Sequence, residues 1–362
     1  MLKKLDWYII KKFLSTFFFV VLIISMLSVV IDFMDKIDDF IEEPVTIKQI
    51  IVDYYMNWLV WINGLLFPLC VLIAVVFFTS RMAYNSEIIS ILNAGVSFNR
   101  LMIPYFLTAC FLMGLHFVGN HFVIPLANDK HYDFQNTYIY KSNVKANNNN
   151  IHIFVEPQTK VYIDTYYKRD TSFRNFRIEK ISNNQLTYVL KAKSGKWEKP
   201  PNHWSLKDYE IRTFNKQRES ILIGQGESID TTINLTPEDF IYFNEDKEMM
   251  TSPRLLSFME VQRQKGKGNI KKYETEFHRR TAEPFTILIL TFIGMSVAAR
   301  KVRGGMGLQL AIGVAIGALY IFLSKFSITF ATNESLPSII GVWIPNITFG
   351  IVAIYLVLTA QK

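Results

Sequence analysis

The sequence predicts an α-helical membrane protein of six spans, three on either side of an inserted all-β domain of jelly-roll type. Three observations carry that prediction. Apolar residues make up 50% of the 362-residue chain and come in long blocks rather than at core periodicity. Basic residues gather at one set of short loops. Between the third and fourth blocks the pattern changes to short alternating segments separated by turn residues.

The spans come first. A bilayer core takes about 20 apolar residues per helix. Segments 13–33, 58–79, 101–125, 284–299, 308–330 and 338–358 approach that length, the fourth being the shortest. No small-residue cleavage site follows the first, which reads as an anchor and not a removed signal peptide. Lys3, Lys4, Lys11 and Lys12 precede span one, Arg81 and Arg100 flank the segment between spans two and three, and Arg300, Lys301 and Arg303 fill the turn after span four. The loop after span one is acidic, with Asp35, Asp38, Asp39, Glu42, Glu43 and Asp53. Lysine and arginine near span ends stay inside. Both termini are therefore expected in the cytoplasm and the insert outside it. The net charge of +8 then has a topological origin, and no nucleic-acid partner is expected. Cys70 and Cys110 fall within predicted spans, so the insert must fold on its own apolar core without disulfides.

The expected organisation is spans one to three over 1–125, the insert and its helical connector over 126–280, and spans four to six over 281–362. Strands are predicted at 151–155, 161–167, 173–181, 186–192, 204–214 and 220–233. Turn signals sit between them at Asn183-Asn184, Ser194-Gly195, Pro200-Pro201-Asn202 and Gly224/Gly226. Strands at this spacing suggest a sandwich or jelly roll. Trp197 and Trp204 flank the proline turn and are expected close together. Ser252 and Pro253 read as the cap and first position of a helix. Leu255, Leu256, Met259 and Gln262 follow at helical spacing, and Gly266 and Gly268 end it. A second helix from about 270 carries Glu276, His278, Arg279 and Arg280 to the membrane. Glu276 and His278 point to different helix faces, so ion pairs of Glu276 with Arg279 or Arg280 are expected rather than a metal site.

No Walker A loop, H-E-x-x-H or G-x-S-x-G occurs, so the chain is expected to be neither an ATPase nor another enzyme and to hold no cofactor or metal. His116 and His121 read as packing histidines, with a proton relay as the alternative. The informative segment is the polar stretch between spans two and three. Asn85 or Ser86 can cap a short helix over about 85–95, with Glu87 in its first turn, where a carboxylate suits the helix dipole. Ile88, Ile91 and Leu92 share one face, and Gly95 can close the helix in the left-handed region. Such a helix either lies on the membrane or inserts into a soluble partner.

The run from Ser86 to Ser97, Ser-Glu-Ile-Ile-Ser-Ile-Leu-Asn-Ala-Gly-Val-Ser, resembles the coupling helix of the LptF/LptG lipopolysaccharide-export permeases. Leu5-Asp6-Trp7-Tyr8-Ile9 is similar to that family's opening, and Asn234-Leu-Thr-Pro-Glu238 to its exit from the soluble domain. The three-plus-three layout matches as well. The resemblance implies a bacterial inner-membrane transport subunit. It would pair with a homologous permease on an LptB-type ATPase dimer that binds the ATP, and would extract lipopolysaccharide toward LptC/LptA-type periplasmic jelly-roll proteins. It implies an ATPase-coupling role for Ser86, Glu87, Ile88, Ile91, Leu92 and Gly95. It also implies a lateral gate built from spans one and five, with Asp32, Lys36 and Lys325, and with Arg279 and Arg280 nearby, as gate or substrate residues. In that gate Asp32 or Asp35 is expected to pair with Lys325 until a substrate phosphate displaces it. Gly313-x-x-x-Gly317 is expected to admit a neighbouring helix closely. The sequence departs from the family at the outer end of span one, where Lys36 stands as the only base among Asp32, Asp35, Asp38 and Asp39. Two alternatives stay open: a mechanotransmission or lipoprotein-release type permease, disfavoured because its soluble domain usually follows the first span, and a membrane-anchored receptor or scaffold.

Overall fold

A computed structural model describes residues 3–139, 149–156, 158–167, 170–182, 185–200, 202–215, 218–235, 246–264, 270–300, 305–333 and 336–360. Six helical stretches among them are long and apolar enough to cross a membrane. The first, α1 (Lys4–Glu42), is a continuous helix with neither glycine nor proline. A short α2 (Ile47–Gln49) leads through a π-helical turn (Ile50–Tyr55) into α3 (Met56–Tyr84), the second span. The short α4 (Glu87–Asn93) follows, and then α5 (Phe98–Val118), the third span.

This third span runs further than its apolar block. It passes through a π turn (Gly119–Val123), α6 (Ile124–Phe134) and a second π turn (Gln135–Ile139). The first π turn lies just before Pro125. A proline lacks the N–H that an α ladder needs and crowds the carbonyl four residues back, and a widened turn relieves both. The helix therefore does not stop at the boundary expected at 126. Residues to Ile139 cluster with the membrane helices.

The chain divides into two compact units. One holds Met1–Ile139, Lys247–Ser252 and Lys271–Lys362. Its last three spans are α9 (Ile270–Ala298), α10 (Gly305–Thr332) and α11 (Ser338–Thr359), which follow α7 (Asp246–Met249) and α8 (Ser252–Gln264) in the chain. Ile9, Phe13, Phe17, Val71, Phe78 and Tyr105 form the buried centre that joins α1, α3 and α5. Leu72, Val76, Leu290, Ile293, Tyr320 and Phe349 join α3 to α9, α10 and α11. Gly313 and Gly317 lie against Val76 and Leu69, so the close neighbour that this pair admits is α3 of the same chain.

The second unit contains the β domain. Its six described strands are β1 (Asn149–Glu156), β2 (Thr159–Tyr167), β3 (Ser172–Ser182), β4 (Gln185–Lys199), β5 (His203–Asn215) and β6 (Arg218–Thr232). They form one antiparallel sheet in the order β1-β2-β3-β4-β5-β6, a plain meander. All six predicted strands are present. Two expected turns are not. Ser194-Gly195 lies inside β4, where Gly195 leaves room for Phe173 and Leu206. Gly224 and Gly226 lie inside β6. Gly226 adopts φ +77 there, and its N–H donates to Asp208 at 2.7 Å across an irregularity in the β5–β6 register. Asn183-Asn184 falls outside the described residues. The core holds Val161, Ile163, Phe173, Phe176, Trp204 and Leu206. Trp197 and Trp204 stand opposite one another, with Trp204 fully buried.

Candidate functional site

Two regions of the membrane unit concentrate polar chemistry. The first is built on α4. Its N-terminal neighbour Ser86 adopts φ +61 and makes no side-chain cap, so the expected hydroxyl cap is absent. The reason is local: Ser86 completes a tight reversal from α3, with its N–H donating to Ala83 O at 3.1 Å. The other end closes as expected. Gly95 at φ +84 donates to Leu92 O, and Val96 donates to Ile91 O, the paired bonds of a glycine-terminated helix.

Ile88 is buried, and Ile91 and Leu92 are half-buried against the core of α1, α3 and α5. The shared apolar face thus packs on the chain's own spans rather than standing free for a partner. Ile89, Ser90, Asn93, Ala94 and Gly95 form the exposed side. Glu87 reaches α1. It accepts from Tyr8 Oη at 2.9 Å and from Lys12 Nζ at 3.1 and 3.3 Å. Burial raises the affinity of Glu87 for a proton, but Lys12 and Tyr8 outweigh it and hold the carboxyl below the usual range. Beside this, Arg100 grips buried Asp6 with both guanidinium nitrogens, at 2.8 and 2.6 Å. Sequence reasoning missed Tyr8, Lys12, Asp6 and Arg100 as partners. Asp6 and Tyr8 already stood in the Leu5–Ile9 motif, and Lys12 and Arg100 had been assigned only a topological role.

The second region is the opposite end of the spans. Lys36 is buried. Its ammonium donates to Asp32 at 3.0 Å and to Tyr54, which in turn donates to Asp32 at 3.0 Å. Phe40, Tyr55, Trp58 and Phe134 close an aromatic cluster around Tyr54. Asp32 is held by Lys36, the lysine one helical turn away, and among the described residues of this chain neither Asp32 nor Asp35 bonds Lys325.

Lys325 instead lines a cleft between α3, α9 and α10. One lobe, of about 180 Å³, is polar, with Asn128, Lys272, Glu276, Arg279, Glu283 and Lys325. The other, of about 130 Å³, shares Arg279, Glu283 and Lys325 and runs on between Leu65, Leu69, Leu290 and Ile321. Arg279 bonds Glu276 at 2.9 Å and Glu283 at 2.7 Å, and Asn120 donates to Glu283 at 3.2 Å. Arg280 is fully buried, with its guanidinium bonding Glu276 at 2.9 Å and the carbonyls of Met250 and Lys247 at 2.7 Å each. The expected pairing of Glu276 with both arginines is present. His116 stacks on Phe67 and contacts Asn120 at 3.3 Å, and His121 contacts Ser252 Oγ at 2.7 Å.

The site as a whole is therefore a short, glycine-terminated helix docked on three spans, and an amphipathic cleft with paired charges and Lys325 at one end and aliphatic side chains at the other. A search of curated proteins finds no individual match. The family model described as lipopolysaccharide export system permease LptF/LptG matches residues 7–359, nearly the full length, and the chain belongs to that family of multi-pass inner-membrane permeases.

Proposed function

We propose that this permease is one half of an ATP-driven extractor of lipopolysaccharide, paired with a homologous permease on a separate ATPase dimer. The observation that carries the reading is α4. Its apolar face is anchored on α1, α3 and α5, and its other face, with Ile89, Ser90, Asn93, Ala94 and Gly95, is exposed. A helix so placed transmits a push from a soluble subunit to the spans. The lysine and arginine bias supports a cytoplasmic α4 and cytoplasmic termini, with the β domain in the periplasm. There β6, which pairs only with β5 among the described strands and exposes Ile221, Leu222 and Ile223, offers an edge for strand addition by a periplasmic jelly-roll partner.

The amphipathic cleft is the lipid-facing element of this reading. Lys325 is exposed, and it shares both lobes with Arg279. The exposed Lys325 ammonium, beside an Arg279 that Glu276 and Glu283 hold, suits a lipid phosphate, and the aliphatic lobe suits acyl chains. In membranes, a photo-crosslinker at position 325 is expected to capture lipopolysaccharide, and Lys325→Glu to impair export at normal protein level. Crosslinks only to phospholipid chains, with normal export by Lys325→Leu, would reduce the residue to an interfacial anchor. At the other end, Glu87→Ala is expected to weaken co-purification of the ATPase. Full transport and intact association in that variant would sink the coupling role.

A further inference from the structure

The Glu87 carboxylate is not free to serve a partner alone, since Tyr8 and Lys12 of α1 already hold it. Resting on the permease reading above, we propose that Tyr8 and Lys12 are positioning residues that clamp α4 to span one, so that movement of α4 is delivered to α1. Three features of α1 make it suited to carry that movement. It runs unbroken from Lys4 to Glu42 without glycine or proline, so it has no hinge. The distance along its axis from Lys12 to Asp32 is about 30 Å at the α-helical rise. Beyond Phe17 it is attached along one side only. Val20, Val21 and Ile24 pack on the core of α3 and α5, and Val29 and Phe40 on the Tyr54 cluster, where Lys36 and Asp32 also bond, whereas Phe18, Phe19, Leu22, Met26, Leu27, Val30 and Ile31 are exposed. A stiff helix packed along one face and open along the other moves as one piece when one end is shifted. The neighbouring Asp6–Arg100 pair ties the same end of α1 to α5. That pair fixes the fulcrum, whereas the Glu87 pair reaches the helix that an ATPase would push.

The reading assigns Lys12 a task beyond holding positive charge on the inner side. Its test uses the full transporter in proteoliposomes, with lipopolysaccharide release measured per ATP hydrolysed. The Tyr8→Phe/Lys12→Met double variant is expected to release several-fold less lipid per ATP. Lys12→Arg, which keeps the ion pair, is expected to match the wild type. A double variant that releases as much lipid per ATP as the wild type overturns the proposal, as does a Lys12→Arg variant as impaired as Lys12→Met. A second measurement does not depend on transport. In the purified chain, Lys12→Met and Glu87→Gln together should lower the melting temperature no more than the larger single change. Additive shifts would show that the two residues are not paired. If the wild-type chain recruits no ATPase at all, the permease reading fails while this second measurement still reports on the clamp.

Discussion

Arg279 and Arg280 stand side by side in the sequence, but α-helical geometry separates them by about 100° around the axis. Composition and position could nominate both as lipid-facing. The helix phase that separates them is set by packing, which no local pattern near residue 276 reveals. Arg279 faces the cleft and stays half-exposed. Arg280 is sealed, and its three nitrogens hold Glu276 and two backbone carbonyls of the segment that precedes α8. Removing a buried cation leaves those acceptors without donors, a loss of about 3 kcal/mol or more. Arg280→Met should therefore lower the thermal stability of the detergent-solubilised protein substantially. Arg279→Met should cost less stability and chiefly weaken lipid capture at position 325. Equal melting of Arg280→Met and wild type would remove the structural role assigned to Arg280.

At the level of elements, the sequence was most informative where a period was strong. The six strands fall where alternation placed them, since β1 to β5 each turn one face to the Val161–Leu206 core, to which β6 adds Ile229. At Gly195 and Gly224 the misread turns share one cause, whereas Gly226 serves a positive φ. Gly195 resembles punctuation, yet its lack of a Cβ serves packing, for a Cβ there would come within 2.4 Å of Phe173. The same logic governs the helices. A Cβ on Gly341 of α11 would lie 2.6 Å from Ala331 Cβ and 3.3 Å from Ser327 O of α10, neither of which can swing aside. Gly114 of α5 has nothing within 4 Å. Gly341→Ala should accordingly destabilise by about 1–3 kcal/mol through overpacking. Gly114→Ala should be neutral or gain up to about 1 kcal/mol from helix propensity. Thermal unfolding of the two variants side by side checks the pair, and comparable melting would mean that α10 and α11 are not held this closely. Of the π turns, the one at Gly119–Val123 is marked in the sequence by Pro125, whereas those at Ile50–Tyr55 and Gln135–Ile139 carry no such residue signal.

For the whole molecule, the division into two compact units makes a claim about folding. The β domain buries its own aromatic and aliphatic side chains, so it should fold without the spans, and its true end lies past the last strand. Ile233 and Leu235 are buried in the same core, although β6 stops at Thr232. The Ile233 N–H donates to Asn202 O at 3.0 Å. The Trp204 indole N–H donates to Leu235 O at 2.9 Å. A fragment spanning 140–246 keeps these contacts, and it should give a sheet-dominated circular dichroism spectrum with blue-shifted, cooperative tryptophan fluorescence. A fragment ending at 232 loses two buried side chains, each contributing about 1.5–3 kcal/mol, and leaves the indole N–H without a partner. Its stability should fall by at least about 3 kcal/mol, with earlier unfolding in urea. If both fragments unfold at the same urea concentration, the Leu235 clasp contributes nothing to the domain. If the longer fragment is unfolded or mainly helical, the β domain depends on the membrane unit, and the two units do not fold independently.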